Sequence, residues 1–101
     1  MIETELKDFL ILRNLDEPIP EATFEAATKQ SVEVVRDLID EGVGINWVKS
    51  DVRTQADGAV TGTVCHFQTE NEEVIHEHGD RAGLPVTRID YYGKTVRNEG
   101  R

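Results

Sequence analysis

Between Pro20 and Gly42 the apolar residues recur at helical spacing, with Phe24, Ala27, Val34, Val35, Leu38 and Ile39 on one stripe. This stripe limits the fold more than any other feature. A helix of this length with one apolar side must lie against a second layer, which the rest of the chain has to supply. Pro20 suits the helix start, where a missing N–H costs nothing. Gly42 suits its end, because glycine accepts the left-handed conformation that helix ends often need. Thr28 and Ser31 fall on or beside the stripe and leave room for close packing, while Glu21, Glu25, Lys29, Glu33, Arg36, Asp37 and Asp40 mostly take the other side.

The flanking segments read as strands and a second helix. Asp8 to Leu15 is nearly all apolar from Phe9 to Leu12, as suits a strand covered on both faces, and Asp16-Glu17-Pro18-Ile19-Pro20 is expected to stop it. Ile45 to Thr54 contains the β-formers Trp47, Val48 and Val52, with polar residues alternating after Trp47. Ala56-Asp57-Gly58 predicts a hairpin turn. The return strand, Ala59 to Gln68, puts Ala59, Thr61, Thr63, Cys65 and Phe67 on one side and Val60, Gly62, Val64, His66 and Gln68 on the other. Thr69 and Glu72 have the spacing of a capping box for a helix over residues 70–82. Val74, Ile75, His78 and Ala82 share one face of that helix, Gly83 caps it and Pro85 prevents its continuation. Val86 to Tyr92 reads as the last strand, and the polar tail 93–101 is expected to fray.

This order, β-α-β-β-α-β with a hairpin in the middle, predicts an α+β ferredoxin-like sandwich: a four-stranded antiparallel sheet with both helices on one face. The 101 residues fit a single domain with its core over about residues 8–92. The uncovered sheet face should be apolar enough to need a cover. A homodimer packed sheet to sheet supplies one, burying ~800 Å² per partner through Phe9 or Leu10 with Val60, Val64 and the last strand.

Charge excludes some partners. Twenty acids against eleven bases give a net charge of −9. Such a surface repels a phosphate backbone and an anionic membrane, so neither nucleic acid nor membrane is expected as a partner. No apolar run approaches the ~20 residues of a membrane span. The acidic start Met1–Asp8 is unlike a secretory signal, so the cytoplasm is the expected location.

The chemical vocabulary is thin. One cysteine, Cys65, excludes a disulfide or a multi-cysteine metal site within the chain. There is no glycine-rich phosphate loop, His-Glu-x-x-His helix or serine elbow. His78 points towards the sheet, either as a core histidine or as a ligand or acid–base group in a pocket. His76 lies about 200° round the helix from it, so the two cannot grip one ion, and His76 reads as surface. His66 should look onto the open sheet face, as an interface residue or as a polar group in an apolar interface cavity. Cys65 reads as a buried, inert thiol.

The runs Ile45-Asn46-Trp47-Val48-Lys49-Ser50, Cys65-His66-Phe67, Asn71 to His78 and Gly83-Leu84-Pro85-Val86-Thr87-Arg88-Ile89 carry a family resemblance. Over residues 8–92 the chain resembles a family of short proteins of unknown function whose members are often labelled nickel-binding proteins. The resemblance implies a ferredoxin-like fold and a homodimer. In members that look like metal binders, the first strand carries Asp-x-His, the first helix a histidine, and the second helix two histidines four residues apart. The matching positions here are Ile11, Arg13, Thr28, His78 and Ala82, and Lys49 stands where some members have a further histidine. Only His78 is a metal donor, and Arg13 puts a positive charge where a cation would sit.

The resemblance therefore implies a small dimeric ligand- or metal-binding protein with most family ligands absent. Nickel or zinc held by His78 with a carboxylate or with His66 is not expected to bind tightly. Arg13, Trp47, Lys49 and Cys65 are pocket candidates. The alternative is a small cofactor-independent enzyme, of isomerase or monooxygenase type, using a pocket histidine as acid–base. A scaffold with no small ligand is a third reading.

Overall fold

A computed structural model describes residues 5–100. Residues 1–4, on which the reading of the N-terminus partly rests, and Arg101, the end of the expected tail, lie outside the described residues. The elements follow in the order β1 (Lys7–Ile19), α1 (Glu21–Asp40), β2 (Ile45–Thr54), β3 (Val60–Thr69), α2 (Glu72–Ala82) and β4 (Arg88–Tyr91). The four strands form one antiparallel sheet in the order β2-β3-β1-β4. Both helices cover the same face, which is the ferredoxin-like α+β arrangement. Among the described residues no helix is long and apolar enough to cross a membrane.

The core lies between that sheet face and the helices. Phe9 and Ile11 of β1, Cys65 and Phe67 of β3, Val34 and Leu38 of α1, and Val74, Ile75 and Ala82 of α2 form one buried cluster. The α1 stripe is thus mostly a packing face, but Ile39 is 52% exposed because it lies at the edge of the arc that reaches the sheet. Helix α1 ends in a Schellman arrangement: the Gly42 N–H donates to the Ile39 carbonyl and the Val43 N–H to the Leu38 carbonyl. Gly42 adopts φ +86°, where a side chain would be strained.

Several boundaries differ from the sequence expectation. Strand β1 continues through Asp16-Glu17-Pro18 to Ile19, although its pairing with β3 is interrupted between Asn14 and Ile19. Such a break accommodates Pro18, which has no N–H to donate. Strand β4 starts at Arg88 rather than Val86. Helix α2 is capped by Asn71 rather than Thr69: the Asn71 side chain accepts from the Val74 N–H at 3.2 Å, while the buried Thr69 hydroxyl donates to the Asn71 carbonyl at 2.8 Å. Asn71→Ala is expected to cost about 1 kcal/mol, read as a fall in Tm, with Thr69 unable to take over the cap. Residues 93–100 carry no regular secondary structure.

Two bulges reset which side chains face the helices. In β2, Trp47 pairs with Phe67 and Lys49 with His66, so Val48 is the extra residue. In β3, Gly62 pairs with Arg53 and Val60 with Thr54, so Thr61 is the extra residue. Each bulge shifts the alternation by one. Trp47, Ser50 and Val52 therefore share the helix-covered face. Val60, expected on the open face, instead lines a groove with Phe24, Glu25 and Thr28 of α1. Phe9 is likewise buried under the helices, so neither residue is available to cover the open face.

Candidate functional site

The bulged end of the sheet and α1 do not close on each other completely. Between them lies a cavity of about 270 Å³. Strand β1 contributes Arg13, Leu15 and Ile19, and α1 contributes Phe24, Ala27, Thr28, Ser31 and Val32. Strands β2 and β3 add Trp47, Ser50, Val52, Thr63, Cys65 and Phe67. The volume is close to the lower end of the ~300–1,000 Å³ usual for small-molecule sites. A mostly apolar wall with a few converging polar groups is also the usual make-up of such sites.

Those polar groups are held in fixed positions. The indole Nε1 of Trp47 donates to Ser50 Oγ at 3.0 Å, and Ser50 Oγ donates to Cys65 Sγ at 2.9 Å. Thr63 Oγ1 lies 3.3 Å from the same sulfur. The Thr28 hydroxyl donates to the Phe24 carbonyl one turn earlier at 3.0 Å. The geometry at Gly62 also shapes the floor. A Cβ there would collide with the Arg13 carbonyl and the Arg53 guanidinium. Its absence lets Arg53 cross β3 and donate to the Arg13 carbonyl at 3.2 Å.

Among the described residues Arg13 is the only charged one of the lining, and it is 3% exposed. Its Nη1 donates to the Pro85 carbonyl at 2.9 Å, and its Nη2 lies 3.4 Å from His78 Nδ1. Its Nε has no partner among the described residues. Among the described residues no carboxylate lies within 4.0 Å of the guanidinium. Burial lowers its pKa, partly offset by the neighbouring Cys65, but an arginine keeps its proton in a protein.

His78 sits behind Arg13, 1% exposed, with its ring 5.1 Å from that of Phe67. Its Nε2 lies 3.1 Å from Ser31 Oγ and 3.2 Å from the Ser31 carbonyl oxygen. Because Arg13 can only donate, Nδ1 is the acceptor and the proton belongs on Nε2, where it serves the Ser31 carbonyl. Burial pushes the His78 pKa down from 6.5 to about 4, the Arg13 charge adding to the effect and the Ser31 carbonyl opposing it. His78 is therefore neutral at pH 7 and does not line the cavity. Gly79 makes the room for this arrangement. A Cβ there would lie 3.0 Å from Val86 and 3.4 Å from Arg13 Nη1.

The remaining sequence candidates lie elsewhere. His66 is on the open sheet face, its Nε2 bonded to Asp8 at 2.7 Å and its ring stacked on Tyr92 at 4.2 Å. That bond, together with one from Gln68, holds the Asp8 carboxyl below its ordinary range. Lys49 pairs across the sheet with His66, so the Val48 bulge turns it away from the cavity; it bonds Asp51 at 3.0 Å. His76 is exposed on the outer side of α2. The structure thus brings Arg13, Trp47 and Cys65 together at one cavity, sets His78 behind Arg13, and leaves His66 and Lys49 on the other side of the sheet. Among the described residues no group of three or more His, Cys, Asp or Glu side chains is placed to hold a metal ion.

Sequence reasoning did not single out Ser50, Thr63 or Gly79, and read Ser31 only as a small packing residue. For Gly79 a signal existed: a glycine next to His78 in the middle of a helix, where it costs stability, implies a close approach. The family model described as nickel responsive protein SCO4226-like matches residues 9–91. No curated protein and no solved structure matches the chain.

Proposed function

We propose a ligand-binding role for this chain, which belongs to the family of nickel responsive proteins like SCO4226: it holds a small organic molecule in the cavity between α1 and the sheet. The observation that carries this reading is the cavity itself, about 270 Å³ with an apolar wall and fixed polar groups. Nickel, which the family description suggests, does not fit the residues present. A site of this kind needs about three protein ligands. His78 offers Nδ1 only to a guanidinium 3.4 Å away, and His66 is separated from it by the sheet. The arginine supplies repulsion where a cation would need a donor.

The acid–base alternative for His78 lacks comparable support, since both its ring nitrogens are engaged and it does not line the cavity.

Trp47, the only tryptophan, lines the cavity and reports on it. Titration with benzyl alcohol is expected to change its fluorescence saturably. Amide shifts in an NMR spectrum should concentrate at Thr28, Ser50 and Thr63. Shifts scattered over the surface, or none at saturation, would reject the reading.

A homodimer through the open face belongs to the same proposal. Leu10, Leu12 and Val64 are half-buried at the centre of that face. Cross-strand pairing surrounds them with Lys49, Asp51, Arg88 and Asp90. An apolar centre inside a charged rim is the usual anatomy of an interface. Sedimentation is expected to give a dimer at micromolar concentration that Leu12→Asp dissociates; a monomeric wild type would reject this part.

A further inference from the structure

The cavity wall is apolar, yet it contains one cation that no acidic side chain among the described residues matches. Arg13 is buried and has an unpartnered Nε, and it has no carboxylate within reach among the described residues. A buried charge without a counter-charge is costly, and proteins seldom keep one without a use. Two of the five N–H groups of Arg13 are used, on the Pro85 carbonyl and on His78 Nδ1, which leaves three, the Nε–H among them, for a carboxylate. The other polar side chains of the lining already have partners: Trp47 bonds Ser50, Ser50 and Thr63 bond Cys65, Thr28 bonds the Phe24 carbonyl and Ser31 bonds His78. A ligand therefore meets one strong polar anchor and, everywhere else, apolar surface or occupied groups.

We propose that the cavity takes an organic monoanion, a carboxylate on a short apolar chain or ring, with its carboxylate on Arg13. This deepens the ligand-binding reading above and rests on it. One lining cation neutralises one negative charge, which favours a carboxylate over a dianionic phosphate inside a chain whose net charge is already −9. The volume sets the size. About 270 Å³ corresponds to about nine water volumes at ~30 Å³ each, which suits a body of several carbons and excludes a nucleotide or a long-chain lipid. The aromatic rings of Phe24, Trp47 and Phe67 offer the apolar body its contact surface.

The test compares three probes of one chain length, octanoate, 1-octanol and octylamine, followed by Trp47 fluorescence and calorimetry on the full chain. Octanoate is expected to bind at least about tenfold more tightly than octanol, and octylamine not to bind. Arg13→Met should abolish that preference, and Arg13→Lys should keep only part of it because the fork is lost. Circular dichroism establishes that each variant is folded, and the wild-type comparison stands without them. Octanol binding as tightly as octanoate to the wild type would overturn the anion assignment and leave the cavity reading intact. None of the three binding would overturn both.

Discussion

Taking the protein from pH 8 to pH 5 is expected to cost about 2 kcal/mol of stability. The source is His78, whose pKa falls from 6.5 in an exposed chain to about 4 in the fold, chiefly through burial. Between these two values the unfolded chain binds a proton that the folded one refuses, so acid favours unfolding. The contribution is fully present above about pH 7. It declines as the pH drops through 6.5, has lost about 3 kcal/mol near pH 4 and levels off only below it. Asp8 and Glu41, whose carboxyls are held low by His66 and Arg81 respectively, add their own losses only at lower pH. Urea unfolding at intervals between pH 8 and 5 measures the slope. His78→Gln keeps a hydrogen-bonding side chain that cannot charge, and it should flatten the curve over this range. Parallel curves for wild type and variant would show that His78 titrates normally.

Arg13→Met is expected to raise stability by about 1–4 kcal/mol. The substitution removes a charge that is buried and that, among the described residues, has no acidic partner and no bond at Nε. It costs the bond to the Pro85 carbonyl, where Pro85 is exposed and water can replace the donor, and it leaves buried His78 Nδ1 without its donor, which offsets part of the gain. Methionine is unbranched and adaptable enough to fill the vacated space. Because the Arg13 charge helps to lower the His78 pKa, the variant should also lose some of its acid sensitivity. A stabilised protein that no longer prefers an anion would be a functional residue paid for in stability. If Arg13→Met instead loses more than about 1 kcal/mol, the bonds of the guanidinium to the Pro85 carbonyl and His78 outweigh the cost of its charge.

The sequence alone was enough for the order of elements and the placement of both helices on one sheet face. The α1 stripe, the Asp57-Gly58 turn and the Gly83 cap are local signals, each written within a few residues. The inward face of α2, with His78 on it, follows from the same periodicity. Of the pocket candidates Arg13, Trp47, Lys49 and Cys65, all but Lys49 line the cavity between α1 and the sheet, and Arg13 was a candidate only through the family resemblance. What the sequence could not carry is the change of phase at Val48 in β2 and at Thr61 in β3. A bulge is one extra residue in a pairing between two strands, and no alternation within either strand announces it. That slip moved Val60 under α1 and turned Lys49 outward. The tertiary structure likewise decided that Ser31, 47 residues away in sequence, would occupy one nitrogen of His78 and Arg13 the other. It also left Arg13 without an acid among the described residues. Whether a buried charge is compensated depends on what the opposing layer brings within a few ångströms, and that is fixed only when helix and sheet have closed on each other.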